Sequence, residues 1–222
     1  VLLDAVGGYL PLALAVALSP FPLIATTLLL TGPRARVAGW LFLVGWVVGL
    51  ALLTALALLL LGEAESTGTG SAVVAWARVA LGAVLVVLAV RKLLRRPAPA
   101  DGEDPPVPGW MSAFDAPSGA RTLGLGALLG GANPKNIALA ASAAAGVQET
   151  APDQAALAGA LFVLLCSSAV LVAVVAHAML GARAEPALTT VRRVMTRHSA
   201  VLTAAVLLLI GAMILGDGLA AL

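Results

Sequence analysis

The residues best equipped for chemistry are Asn133-Pro134-Lys135-Asn136, an ammonium, two carboxamides and a proline within an otherwise apolar stretch from about 122 to 145. Such groups are costly at bilayer depth. A lysine at the centre of a membrane helix costs roughly 2.5–3.5 kcal/mol on insertion scales, and a proline inside a helix leaves a backbone carbonyl without its donor. A second interruption, Ser19-Pro20-Phe21-Pro22, lies in the first apolar stretch. Ser19 and Asn133 are good N-cap residues, and Pro20 and Pro134 suit the first helical position. Each motif is therefore expected to restart a helix partway across the membrane. Helix N-termini carry partial positive charge and free N–H groups that favour anions, and Lys135 adds a full charge at the same point. The expected chemistry is capture of a carboxylate or phosphate near the midplane, with Lys135, Asn133, Asn136 and Ser19 contributing hydrogen bonds. The competing reading, that Lys135 snorkels or pairs structurally, is disfavoured by its depth.

The elements that position these groups must be membrane spans. Of 222 residues 61% are hydrophobic and only 11% charged, against about 25% charged in soluble domains. Apolar runs occur at about 5–30, 37–61, 72–94, 122–145, 154–180 and 199–219. At 1.5 Å per residue each can cross a hydrocarbon core of roughly 30 Å. The first run is too long for a signal-peptide core and no basic residue precedes it, so it is expected to stay as a span.

Lys and Arg fall almost wholly in alternate connectors. Arg34 and Arg36 follow the first span, Arg91, Lys92, Arg95, Arg96 and Arg121 flank the third connector, and Arg183, Arg192, Arg193 and Arg197 occupy the fifth. The second connector carries Glu63 and Glu65, the fourth Glu149 and Asp153. The positive-inside rule places the basic connectors in the cytoplasm and both termini outside. The expected fold is an all-α integral membrane protein with six transmembrane helices, helices 1 and 4 being proline-broken. A three-helix repeat over 1–96 is joined by a cytoplasmic linker, 97–119, to an inverted three-helix repeat over 120–222. Asn133 follows Ser19 by 114 residues, an offset that carries Leu23 onto Ile137 and Gly45 onto Gly159. Broken segments at corresponding places of two halves are the usual pointer to a transport site.

The linker is rich in Pro, Gly and acid and reads as a mobile link, within which Trp110, Met111 and Phe114 suit docking on headgroups or on the bundle. For the fifth connector, 185–198, two readings stay open: an interfacial amphipathic helix, or a cytoplasmic extension of the last span. Gly45 and Gly49 form a small-xxx-small face that explains close helix packing and leaves room for a homodimer. Thr54, Ser167 and Ser168 are expected to bond their own helix backbone rather than face a cavity. Arg78 is expected to snorkel toward Glu63 or Glu65, Asp4 and Asp217 to be solvated, and His177 to be interfacial or a proton relay. Cys166 reads as a small buried hydrophobe. One cysteine and two histidines without carboxylates at ligand spacing exclude an internal disulfide and make a metal site unexpected. No metal or other cofactor is expected, and the basic residues beside the spans do not point to nucleic acid. No nucleophile–base pair is visible, so an enzyme is not expected.

The segment from Ser19 to Ile24, the following TGPRARVAGWLFLVGWVVGL, and PGWMSAFDAPSGARTLGLGALLGGANPKNIAL together resemble the GAP family. These are the glycopeptidolipid- and sulfolipid-addressing proteins of mycobacteria and relatives, within the lysine exporter (LysE) superfamily. The resemblance spans essentially the whole chain and is most specific from Trp110 to Asn136. The composition, with only two lysines, Lys92 and Lys135, fits a GC-rich actinobacterium. The resemblance implies two inverted three-helix repeats and the movement of a cell-envelope glycolipid, or its anionic precursor, across the plasma membrane. It makes Ser19, Pro20, Pro22, Asn133, Pro134, Lys135 and Asn136 the motif positions. The expected partners are membrane lipids, an anionic lipid-linked or small-molecule substrate, and proteins of lipid synthesis. Two alternatives stand beside lipid export: an exporter of amino acids or small organic anions, and a non-transporting scaffold for glycolipid synthesis.

Overall fold

The computed structural model describes residues 2–32, 34–66, 70–94 and 118–220, and these form helices joined by short turns. Most of the expected linker, with Trp110, Met111 and Phe114, lies outside the described residues. In chain order the α-helices are α1 (Leu2–Ala17), α2 (Pro20–Leu30), α3 (Ala35–Ser66), α4 (Gly70–Leu94), α5 (Gly119–Gly131), α6 (Pro134–Thr150), α7 (Ala155–Leu180) and α8 (Glu185–Ala220).

Helices restart where the prolines require it. α2 begins at Pro20 and α6 at Pro134, and the preceding Ser19 and Asn133 both adopt the extended conformation of an N-cap. The break turns α2 by 48° from α1. Among the described residues, 35–62 and 152–180 are long and apolar enough to cross a membrane, and α1 with α2 make a third, bent candidate. The chain is thus a membrane protein. α5 and α6, of 13 and 17 residues, each fall short of the roughly 20 residues that a span needs. The fifth connector and the last apolar run form one continuous helix, α8. The reading as an extended last helix therefore holds, and no separate interfacial helix forms: between Ala187 and Leu209 neither proline nor glycine interrupts it.

In lipid, apolar side chains gain little by burial against each other, so close packing depends on small residues. The interface of α3 with α5 shows this. A Cβ at Gly45 would overlap the Leu123 carbonyl, one at Gly49 the Ala127 carbonyl, and one at Gly126 the Phe42 carbonyl. The Gly45/Gly49 face is therefore consumed inside the molecule, which corrects the idea that it offers a dimer surface. Gly82, Gly211 and Gly218 bring α4 and α8 together in the same way. At the centre, Tyr9 of α1 donates to the Ala158 carbonyl of α7 (3.1 Å) and meets Phe162 edge-on. Gln148 of α6 donates to the Leu58 carbonyl of α3 (2.8 Å).

Candidate functional site

Each proline orphans a carbonyl, and the site is built from the groups that answer. Pro134 has no N–H, so the Gly130 carbonyl four residues back loses its helical donor. The Asn136 carboxamide replaces it, donating to the carbonyls of Gly130 (2.9 Å) and Leu129 (3.1 Å). Asn133 accepts from the backbone N–H of Lys135 (3.0 Å) and so caps α6.

At the first break, Pro20 withdraws the donor of Val16, and the Ser19 N–H turns to that carbonyl (3.1 Å). In a continuous helix the Ser19 N–H would have served Ala15. The Ala15 carbonyl is instead taken by the Lys135 ammonium, 2.8 Å away. A cation at the C-terminal end of α1 also suits that helix's negative pole. Lys135 thus stitches the second break to the first.

The expectations are met unevenly. Asn133 caps its helix through its side chain. Ser19 has cap geometry, but its hydroxyl makes no cap bond. Asn136 is 1% exposed and points back at α5, with Oδ1 left without a partner among the described residues. Pro20 and Pro22 are buried, whereas Pro134 is exposed. The ammonium of Lys135 uses one of its three donors on Ala15 and leaves two.

Lys92, assigned by sequence only to a basic connector, is a missed member of the site. Its Nζ lies 5.1 Å from the ring centroid of Phe21, within the first break, in a cation–π arrangement. It is also an electrostatic neighbour of Lys135. Both lysines of the chain therefore converge on the first break, and among the described residues neither has a carboxylate partner. The signal available in the sequence was slight: lysine occurs only twice among thirteen basic residues.

Residues 9–220 match the family model described as Sap, sulfolipid-1-addressing protein. The chain belongs to that family. No curated protein and no solved structure matches it.

In this sulfolipid-1-addressing protein family member the other candidates sort clearly. His177 is half-buried with Nδ1 unpartnered, and no hydrogen bond joins it to Lys135 or Asn136 among the described residues. Arg78 forms an ion pair with Glu149 of α6. The Glu63, Glu65 and Asp217 side chains lie outside the described set. Asp4 is exposed and lines a cavity of about 410 Å³ with Tyr9, Arg78, Ser142 and Glu149. Cys166 is a free, buried thiol, as expected. Ser168 bonds the Leu165 carbonyl (2.7 Å). Thr54 and Ser167 do not bond their helices, contrary to expectation, and line a second cavity of about 630 Å³ between α3 and α7. Neither cavity is lined by the residues of the two breaks.

Proposed function

We propose that this protein exports or flips an anionic lipid-linked or glycolipid envelope substrate across the plasma membrane, as a transporter rather than an enzyme, with the headgroup held at the two breaks. The observation that carries this reading is the convergence of Lys135 and Lys92 on the first break, with no carboxylate partner for either among the described residues. Two ammonium groups within a membrane fold that meet a carbonyl and a ring but no carboxylate among the described residues are costly, and an anionic headgroup neutralises them at the moment of binding. The family's description as sulfolipid-1-addressing supports a lipid as the cargo.

The packing supports six spans in two inverted repeats of the LysE type. Exchanging α1 with α5, α2 with α6, α3 with α7 and α4 with α8 carries the α3–α5 contact onto α7–α1 and α3–α6 onto α7–α2. It likewise carries α1–α6 onto α5–α2 and α2–α8 onto α6–α4, while α3–α7 and α4–α8 map onto themselves. Cross-links between helix ends fit the same arrangement. Arg36 donates to the Ala178 carbonyl (3.1 Å) on the side assigned to the cytoplasm, and Arg78 pairs with Glu149 on the side assigned to the exterior, where both termini would lie. Alternating access would part the two breaks, and the Lys135–Ala15 bond is the contact that must exchange with substrate.

The test is translocation of a fluorescent anionic phospholipid in proteoliposomes, with a neutral-headgroup lipid of the same chains as comparison. Lys135→Met and Lys92→Met should each lower anionic translocation at least about tenfold, the scale of a charge contact worth about 1.5–3 kcal/mol. Both variants flipping the anionic lipid at the native rate would overturn the assignment.

A further inference from the structure

The cavity between α3 and α7 has a feature that apolar packing does not explain. Most other helical hydroxyls among the described residues bond their own backbone, as Thr26 does to Pro22, Thr27 to Ile24, Thr122 to Ser118, Thr150 to Gly146 and Ser168 to Leu165; Ser142, in the other cavity, does not. Thr54 and Ser167 are 4% and 2% exposed, yet their hydroxyls have no partner, and both line this cavity. The remaining lining is aliphatic, including Leu43, Val47, Val163 and Leu171. Alanines 51, 55, 156 and 160 are exposed at its rim, so the side toward lipid is low. A volume of about 630 Å³ is that of a small-molecule site, typically about 300–1,000 Å³. Buried hydroxyl donors without acceptors carry a desolvation cost that a bound acceptor removes.

We propose that this cavity binds an ester-linked lipid acyl chain, whose ester carbonyls accept hydrogen bonds from Thr54 and Ser167 while its methylenes occupy the aliphatic walls. The occupant is an acyl lipid because the cavity lies between the two helices that are each long and apolar enough to cross the membrane, where acyl chains are the surrounding solvent. Water satisfies the hydroxyls but not the aliphatic walls, and a pure hydrocarbon chain does the reverse. The proposal deepens the transport reading by giving the cargo's tails a site apart from its headgroup.

The experiment uses the full chain in nanodiscs containing zwitterionic, neutral-net-charge diacyl lipid with a photoactivatable diazirine in the acyl chain, alongside its ether-linked counterpart. Because this headgroup carries no net charge, the outcome is independent of whether Lys135 and Lys92 bind anions. Labelling is expected on α3 and α7 around Val47 and Val163. Thr54→Val and Ser167→Ala should each weaken competition by the ester lipid about two- to tenfold, the worth of one hydrogen bond, without changing the ether lipid. Gly159→Leu should abolish labelling there by filling the cavity. An added Cβ at Gly159 meets only the far ends of Leu58 (2.8 Å) and Thr54 (3.5 Å) side chains, which can move. Thermal unfolding of each variant separates loss of binding from loss of fold, and Thr54→Val carries the test if Gly159→Leu does not fold. Equal ester and ether binding in the unmodified protein, an ester preference that persists undiminished in Thr54→Val and Ser167→Ala, labelling that ignores all three variants, or labelling replaced by cross-links between two copies would overturn the proposal.

Discussion

Replacing Asn136 by leucine tests whether the carboxamide exists to answer the carbonyls freed by Pro134. Asn136 makes two hydrogen bonds to α5, and its side chain is almost fully buried. In membranes single side-chain hydrogen bonds average about 0.6 kcal/mol and reach about 1.7 kcal/mol, while each buried carbonyl left unpaired costs about 1–3 kcal/mol. Asn136→Leu is therefore expected to destabilise by about 2–3 kcal/mol, part of the loss being offset by relaxation of the break. The decisive variant is Pro134→Ala with Asn136→Leu. Restoring an N–H at 134 returns a donor to the Gly130 carbonyl, so the second substitution should cost at least about 0.5–1 kcal/mol less in the Pro134→Ala background, a coupling characteristic of groups sharing one network. Equilibrium unfolding of the four proteins in mixed micelles measures it. Additivity within about 0.3–0.5 kcal/mol would show that Asn136 does not substitute for the missing amide, and the derivation of the second break would fail.

Further consequences are open to direct measurement. Gly45→Ala should destabilise by about 1–3 kcal/mol or prevent folding, because its methyl meets the α5 backbone, as overpacking against an unyielding neighbour does. Gly146→Ala, with nothing within 4 Å of the added methyl, should instead be neutral or stabilise by about 0.5–1 kcal/mol through helix propensity; thermal unfolding of the pair checks both. Arg78→Gln should cost no more than about 1 kcal/mol, and less at high salt, since Glu149 is half exposed and surface ion pairs contribute little. Cysteines introduced at Arg34 and Asp153 should be labelled by a membrane-impermeant thiol reagent from opposite sides of sealed vesicles, and labelling of both from one side would refute the assigned orientation.

Much of this architecture is legible in the residues themselves. Proline removes a donor whatever surrounds it, so the helix restarts at Pro20 and Pro134 follow from local chemistry alone. What those breaks do to their neighbours was not legible. The partner of Lys135 is the Ala15 carbonyl, 120 residues away, and it is free only because Ser19 turned to Val16. The direction of Asn136, toward α5 rather than a pocket, depends on how sharply the break folds back. Lys92 looked like one of several loop cations, since a charge count says nothing of where a long side chain ends. Gly45 and Gly49 announced close packing by their spacing, yet their partner, the α5 backbone, is fixed by tertiary arrangement. Backbone bonding is the rule for helical hydroxyls, and that Thr54 and Ser167 depart from it follows from the space between α3 and α7, which no sequence pattern announces.

Two lysines gathered at the first break to receive an anion are the core of the proposed function. Its most direct measurement is the density of the full-length protein in nanodiscs loaded with an anionic acyl lipid. The prediction is a headgroup oxygen within about 3 Å of the Lys135 ammonium, with Lys92 swung toward the same group. A headgroup bound elsewhere while Lys135 stays on the Ala15 carbonyl would contradict it.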